Sequence, residues 1–391
     1  MGIKINVLNL AELSKETFDI IVIGLGAHGS SALYQLAKSG RKVLGIDRYT
    51  PPHEHGSSHG QSRIIRQAYH ENPVYVPFVK AAYTLWEEIE RETGEKLLTE
   101  TGGLLLGAAD STVVTGARLS ADKHAIGYDY LDAEEVKRRF PAFRPAEDTV
   151  AVWEKRAGVL FPEECIRTQL KEAVANGGSV RCGETVLGIN PQAGGRVVEV
   201  TTSRGRYTAE KVIVSAGAWV GALLPELRLP LTIERQVVCW FTDKASGSQL
   251  RPSGMPIYIW EYLPGKLFYG FPDLGQGIKI GFHHAGRRIL PEELRPDASA
   301  EEIDALTDVA GRYLSIDPTF RRFSVCMYTN TPDEDFILDV YPGCERIFVA
   351  SPCSGHGFKF SSVIGKILSE WACDRPTGFD LAPFSIARLA K

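Results

Sequence analysis

The chain has 391 residues, 44 Lys and Arg against 48 Asp and Glu, a formal net charge of −4 and a hydrophobic content of 44%. That balance is ordinary for a globular enzyme and excludes the strongly basic surface of a nucleic-acid or membrane-surface binder. No apolar run approaches the ~18 residues that span a bilayer, and the length suits two or three domains.

Before the first strand, residues 1–18 carry Lys4, Glu12, Lys15 and Glu16 and lack the apolar core of a secretory leader. Asn6 stands where a myristoylation signal needs Ser or Thr, and Leu389-Ala390-Lys391 is not a peroxisomal address. The cysteines, Cys165, Cys182, Cys239, Cys326, Cys344, Cys353 and Cys373, are scattered and form no C-x-x-C, which points to a reducing cytoplasm. His53, His55 and His59 share one loop but have no companion Cys or carboxylate set at ligand spacing, so no metal site is expected.

Residues 19–48, DIIVIGLGAHGSSALYQLAKSGRKVLGIDR, form the most informative stretch. An apolar run at 20–23 predicts a buried parallel strand, and Gly24, Gly26 and Gly29 follow in G-x-G-x-x-G spacing. Ala32, Leu33, Leu36 and Ala37 recur at helical period until Gly40, and a second apolar run at 43–46 ends at Asp47. Strand, glycine turn, helix, strand and terminal acid together are the signature of a Rossmann-like dinucleotide site. Gly24 permits the turn, Gly26 admits a pyrophosphate, Gly29 allows close helix–strand packing, and Asp47 is placed to accept from a ribose diol. Asp47 disfavours a 2′-phosphate, but the motif leaves NAD and FAD open.

Beyond Pro51 and Pro52 a polar loop, residues 53–62, leads into RIIR. If RIIR is a helical turn, Arg63 and Arg66 share a face able to hold an anion; otherwise they are surface arginines. Periodicity predicts a helix over 75–93, a strand over 99–107 and a helix over 162–175 with Pro162 in its first turn. Strands are expected at 179–189, 196–203 and 206–217, the last returning to the parallel sheet. Between 232 and 284, apolar runs separated by Pro and Gly turns predict an antiparallel sheet. A helix over 299–314 opens with a capping box, Ser299 with Glu302. VCMYTN and IFVAS read as further strands, and after PCSGHG a helix runs from about 358 to 373.

Four features of this pattern bear on chemistry. Lys359 opens the last helix, where a cation opposes the helix dipole unless an anion faces it. Lys279 and His283, four apart on one strand, share a sheet face, while His284 turns to the other. Lys279 lies between Ile278 and Ile280, where a charge is costly if buried, although a solvent-facing lysine is an equal reading. Cys326, taken alone, reads as core filling.

Taken together, FDIIVIGLGAHG, PPHEHGSSHGQSRIIRQAY, YGFP, IKIGFHH, VCMYTNTPDEDFILD and SGHGFKFSS resemble the monomeric sarcosine oxidase family of flavoproteins nearly end to end. That family includes N-methyltryptophan and pipecolate oxidases. The resemblance implies FAD, attached as a thioether through Cys326, with His59, Arg63, Gly355 and Gly357 close to the flavin ring. It also implies that Arg66 and Lys359 hold the substrate carboxylate and that Tyr269 and His283 line the pocket near the amine. Lys279 would lie on the flavin's other side, where a cation favours electron transfer to oxygen. The implied reaction oxidises a secondary amino acid to an imine, which water hydrolyses, while molecular oxygen becomes hydrogen peroxide. The family usually has Gly and a bulky apolar residue before SGHG, where this chain has Pro352 and Cys353. A smaller side chain there would admit a substrate bulkier than sarcosine.

The expected architecture is mixed α/β. A discontinuous FAD-binding domain (18–100, 155–225 and 325–391) is interleaved with a substrate domain (101–154 and 226–324) built on the antiparallel sheet. A cytoplasmic monomer acting on a small secondary amino acid and oxygen, without nucleic acid or membrane, completes the expectation. The alternatives are a pipecolate, proline or N-methyltryptophan specificity, an NAD-dependent dehydrogenase, or an inactive dinucleotide-binding sensor.

Overall fold

The computed structural model describes residues 16–192, 195–243 and 247–389. The readings made on the extreme termini therefore fall mostly outside the described residues. The chain forms two eight-stranded sheets and a small three-stranded one.

Parallel pairing organises the first sheet. Glu16–Ile23 lies between Val43–Ile46 and Arg206–Val214, Val43–Ile46 continues to Ser179–Arg181, and Arg206–Val214 also pairs with Cys344–Ser351. Strands Val186–Pro191, Val198–Thr202 and Ile337–Tyr341 add antiparallel flanks. The short first strands are apolar throughout their centres because both faces are covered, as parallel sheets require. Helix Ala27–Lys38 packs between Pro162–Ala175 and Ser361–Ala372, and Val76–Thr93 packs behind the latter. Close approach of the first and last helices depends on Gly365, where a Cβ would lie 2.2 Å from Ser31 Oγ.

The second sheet runs, in spatial order, Pro318–Asn330, Thr232–Asp243, Ile278–His283, Lys266–Phe271, Ile257–Leu263, Gly103–Ala108, Thr149–Glu154 and Asp129–Leu131. Its pairs are antiparallel except for Ile257–Leu263 with Gly103–Ala108. Helix Ala300–Tyr313 covers it, contributing Leu306, Val309 and Ala310 to a core with Trp260 and Phe268. The predicted capping box holds: Glu302 N donates to Ser299 Oγ, and Ser299 N donates to Glu302 Oε2.

Three elements differ from the sequence expectation. The strand expected at 99–107 is two, Leu98–Glu100 in the small sheet and Gly103–Ala108 in the second, because Gly102 takes φ +71° between them. The strand expected at 179–189 likewise breaks at Gly183, φ +64°. RIIR is not a helical turn: Arg63–Ile65 is a strand paired with Gly158–Leu160. Alternation would send Arg63 and Arg66 to opposite faces, yet the strand ends at Ile65, and both line one cavity.

The first and last helices have no slack at their contact. Gly365→Ala should destabilise the fold by about 1–3 kcal/mol through overpacking. Gly221→Ala, whose Cβ meets nothing within 4 Å, should leave stability unchanged or slightly raised; paired thermal unfolding curves check both.

Candidate active site

A cavity of about 500 Å³ is lined by Gly24, Gly26 and Asp47 of the glycine unit. The same cavity is lined by Arg63, Arg66, Tyr269, His283, Cys326 and Lys359. The fold thus brings together residues as far apart in the chain as Gly24 and Lys359.

At the glycine unit, Gly24 takes φ +85° and a Cβ there would lie 2.4 Å from the Ser215 carbonyl oxygen, so only glycine fits. Gly29 is fixed as firmly, because its Cβ would fall 1.7 Å from the Gly24 carbonyl oxygen. Gly26 is different: its nearest protein atom would be Ser58 Oγ at 3.6 Å, leaving that backbone open to a ligand. Asp47 Oδ2 accepts from Leu25 N at 2.7 Å and Oδ1 from Tyr49 N at 2.8 Å. Each carboxylate oxygen keeps a lone pair, which suits a ribose diol. Helix Ala27–Lys38 has no acid in its first turn, so its N-terminal dipole is free to act on a diphosphate. His28 Nδ1, His59 Nε2 and Arg66 Nε are buried, have no protein partner and belong to cavity-lining residues. Orphaned polar atoms of this kind call for a polar ligand. These residues fit a dinucleotide such as FAD.

Farther along the cavity, Arg66 is almost fully buried and compensated. Its Nη2 donates to Glu71 Oε1 and Oε2 at 2.7 and 2.6 Å, Nη1 donates to Ala68 O at 3.1 Å, and the guanidinium lies 4.4 Å over the Tyr69 ring. Burial disfavours the Glu71 carboxylate, but Arg66 together with His70, His356 and Lys359 outweighs it and holds that carboxyl well below the usual range. Lys359 Nζ donates to the His356 carbonyl at 2.6 Å, just ahead of helix Ser361–Ala372. Lys359 is therefore buried, and the surface reading of Arg66 fails.

Tyr269 and His283 come from adjacent strands, their rings 6.4 Å apart and nearly perpendicular. Burial lifts the Tyr269 hydroxyl to about 12 and, with His284 adding to it, lowers the His283 imidazole well below its ordinary value. Both are neutral near pH 7. His284 lies near Glu234 and Glu334 instead, at 3.7 and 3.8 Å. Cys326, in strand Pro318–Asn330, has a thiol raised by burial against the opposing effect of Arg63 and Lys279.

Lys279 is buried, not solvent-facing. Its Nζ donates to Gly60 O, Ser62 O and Ser62 Oγ at 2.8, 3.0 and 3.1 Å, and it borders a second cavity of about 160 Å³ with Trp240 and Phe271. Gly355 and Gly357 line the large cavity, but their missing side chains make room for protein: Tyr328 and His283 at Gly355, the Pro352 carbonyl at Gly357. Of the loop histidines, His53 Nε2 stands 3.6 Å from Asp47 Oδ1, His55 stacks on Tyr49, and His59 lines the cavity.

Several residues escaped the sequence reading. Glu154 accepts from Gln67 N and Ala68 N, fixing the backbone after Arg66, and Glu163 accepts from Gly60 N and Gln61 N, fixing the loop under Lys279. His70, Glu71, Tyr328 and His356 line the cavity. Only Glu71 carried a signal, an acid five residues after a candidate anion-binding arginine.

The geometry defines a dinucleotide-binding oxidoreductase with a buried, anion-receptive pocket. The chain matches the FAD-dependent oxidoreductase family over residues 19–371. It is 40% identical over 379 residues to the monomeric sarcosine oxidase of Streptomyces avermitilis, covering 96% of this chain and 98% of that one. It is also 36% identical over 374 residues to the N-methyl-L-tryptophan oxidase of Yersinia pestis, covering 95% and 99%. Among solved structures it is similar to NikD, an amino acid oxidase of nikkomycin biosynthesis, at TM-score 0.83 and 26% identity, covering 95% and 98%. The glycine oxidase of Geobacillus kaustophilus shares the fold, with TM-score 0.82, 18% identity and coverage of 96% and 99%. The chain belongs to the FAD-dependent oxidoreductase family, in the group of the monomeric sarcosine oxidases.

Burial, with the Arg66 charge adding and Glu71 opposing, lowers the Lys359 ammonium to about 7. A carboxylate bound beside it favours the charged form and raises that value. Acetate binding should therefore take up a proton well above pH 7 and take up almost none about one unit or more below it. Calorimetry in buffers of different ionisation enthalpy measures this uptake, and Lys359→Met should abolish it.

Proposed function

We propose that the protein oxidises the C–N bond of N-methyl and other secondary amino acids to an imine. Water then hydrolyses the imine to amine and aldehyde, and oxygen is reduced to hydrogen peroxide. FAD, when bound, accepts the substrate's two electrons and delivers them to oxygen. The observation that carries this reading is the meeting of Arg66, Lys359, Tyr269, His283 and Cys326 in the cavity that begins at the glycine unit.

In this reading Gly24, Gly26, Gly29 and Asp47 hold the adenosine diphosphate part of the cofactor, and His59, Arg63, Gly355 and Gly357 lie near its ring. Arg66 and Lys359 receive the substrate carboxylate. Tyr269 and His283, both neutral, border the amine and exclude water without acting as a strong base. Their contribution is orientation and preorganised polarity. Burial, with Arg63 adding to it, pushes the Lys279 ammonium well below its ordinary value, and the three oxygens that hold it favour the charged form that the oxygen step would use. Cys326 would hold the cofactor as a thioether to its 8α-methyl, in which the S–H and one methyl C–H are lost and oxygen takes the two electrons and two protons as hydrogen peroxide; Arg63 and Lys279 oppose the upward shift that burial gives its thiol.

The two large sheets support the interleaved domain division given above, with one adjustment. Strand Pro318–Asn330 runs through residue 325 and pairs within the second sheet, so the boundary belongs after Asn330. Similarity to monomeric sarcosine oxidases supports a monomer, and seven unpaired cysteines support a cytoplasmic location. No helix among the described residues is long and apolar enough to cross a membrane. Cys353 lines the cavity, which favours a substrate larger than sarcosine within the same reaction class.

The purified protein should be yellow, bleach under anaerobic N-methyl amino acid and release peroxide on readmission of air. Acid precipitation should leave the colour in the wild-type pellet and in the Cys326→Ser supernatant. Colour released from the wild type would sink the thioether alone. A flavin that no secondary amino acid bleaches would sink the oxidase reading.

A further inference from the structure

His70 lines the cavity beside Arg66, and none of the roles assigned above uses it. Its Nδ1 lies 2.9 Å from Arg66 Nη2 and 3.3 Å from Glu71 Oε2. A guanidinium nitrogen can only donate, so at the shorter contact Nδ1 accepts. Burial lowers the ring to about 4 against the opposing pull of Glu71, so the imidazole is neutral near pH 7. A neutral imidazole whose Nδ1 accepts carries its proton on Nε2. Among the described residues no group accepts that proton; Arg66 is the ring's one hydrogen-bond partner. Nε2 is not among the fully buried atoms that lack a partner, so this N–H meets the cavity and can donate to an oxygen on a ligand there.

The charge already in the cavity narrows what that ligand carries. Arg66 is shared between Glu71 and the substrate's own carboxylate, which Lys359 also receives, and Arg63 donates to Ser62 O and Ser57 O. A second carboxylate near His70 would face Glu71, with Arg66 already engaged by Glu71 and by the first carboxylate. A neutral acceptor meets no such penalty. Cys353, a small side chain on the same cavity, leaves room for the extra atoms.

We infer that His70 determines specificity by donating from Nε2 to a neutral oxygen on the substrate's side chain. The preferred substrates are then N-methyl amino acids bearing a carboxamide or hydroxyl, rather than sarcosine, which has no side chain. This inference rests on the amine-oxidase reading of the cavity.

N-methylasparagine and N-methylleucine are close in shape and differ in the acceptor. Wild-type kcat/KM should favour N-methylasparagine by about tenfold or more, with N-methylaspartate a poor substrate. His70→Phe should bring the ratio to one or invert it, and His70→Gln, which keeps an N–H donor, should retain it. A merely structural role would lower both rates together and keep the ratio in His70→Phe; that result, or equal wild-type rates on the two isosteres, overturns the inference while leaving the oxidase reading intact. Failure of every secondary amino acid, sarcosine included, to bleach the wild-type flavin overturns both.

Discussion

Burial of cationic side chains is the constraint on which the rest of this structure turns. Arg66, Lys279 and Lys359 are each at most 5% exposed. A buried charge left unpaired costs several kcal/mol, comparable to a large share of a domain's net stability. Each cation is therefore matched: Arg66 by Glu71, Lys279 by three oxygens of the loop after Gly60, Lys359 by the His356 carbonyl. Glu71 and His356 lie 5 and 3 residues from the cations they match, while Lys279 is matched by groups 217 and 219 residues away, so satisfying it fixes the Gly60–Ser62 loop against the second sheet.

The anchoring continues one layer out. Glu154, at the end of a strand in the second sheet, accepts two backbone N–H groups just after Arg66, and Glu163, in the first turn of a helix, accepts two beneath Lys279. Tyr69 and His356 form a 2.6 Å hydrogen bond that ties the arginine segment to the loop before Lys359, and His356 Nε2 reaches the Glu334 carbonyl. The pocket is consequently stiff on three sides. A rigid polar frame of this kind lets orientation and fixed electrostatics carry a reaction without a strong base.

Two parts of the cavity are built on opposite principles. At the glycine unit the backbone itself faces the cavity, and side chains are absent because atoms of Ser215 and Gly24 occupy the space they would need. At the far end, side chains dominate and the glycines serve the protein: Gly355 makes room for the rings of Tyr328 and His283. One part reads as a general dinucleotide device, and the other is lined by polar and reactive side chains, His70 and Cys353 among them.

The glycine unit was legible in the sequence because its signals are local. A strand, a G-x-G-x-x-G turn, a helix and a terminal Asp47 lie within thirty residues and depend on backbone geometry that glycine alone permits. The capping box at Ser299 and the runs of the antiparallel sheet were legible for the same reason. The breaks at Gly102 and Gly183 were not, because strand-forming residues flank each glycine on both sides while the two strands pair in different places. Residue type left Lys279 and Cys326 ambiguous between surface, core and site; resemblance alone raised them. Only the tertiary structure decided that Lys279 is buried, that Arg66 is matched by Glu71 and that His70 stands at the same cavity. Those facts are set by long-range packing and by the cost of leaving a charge or a donor unpartnered away from water, and no local pattern of residues encodes either.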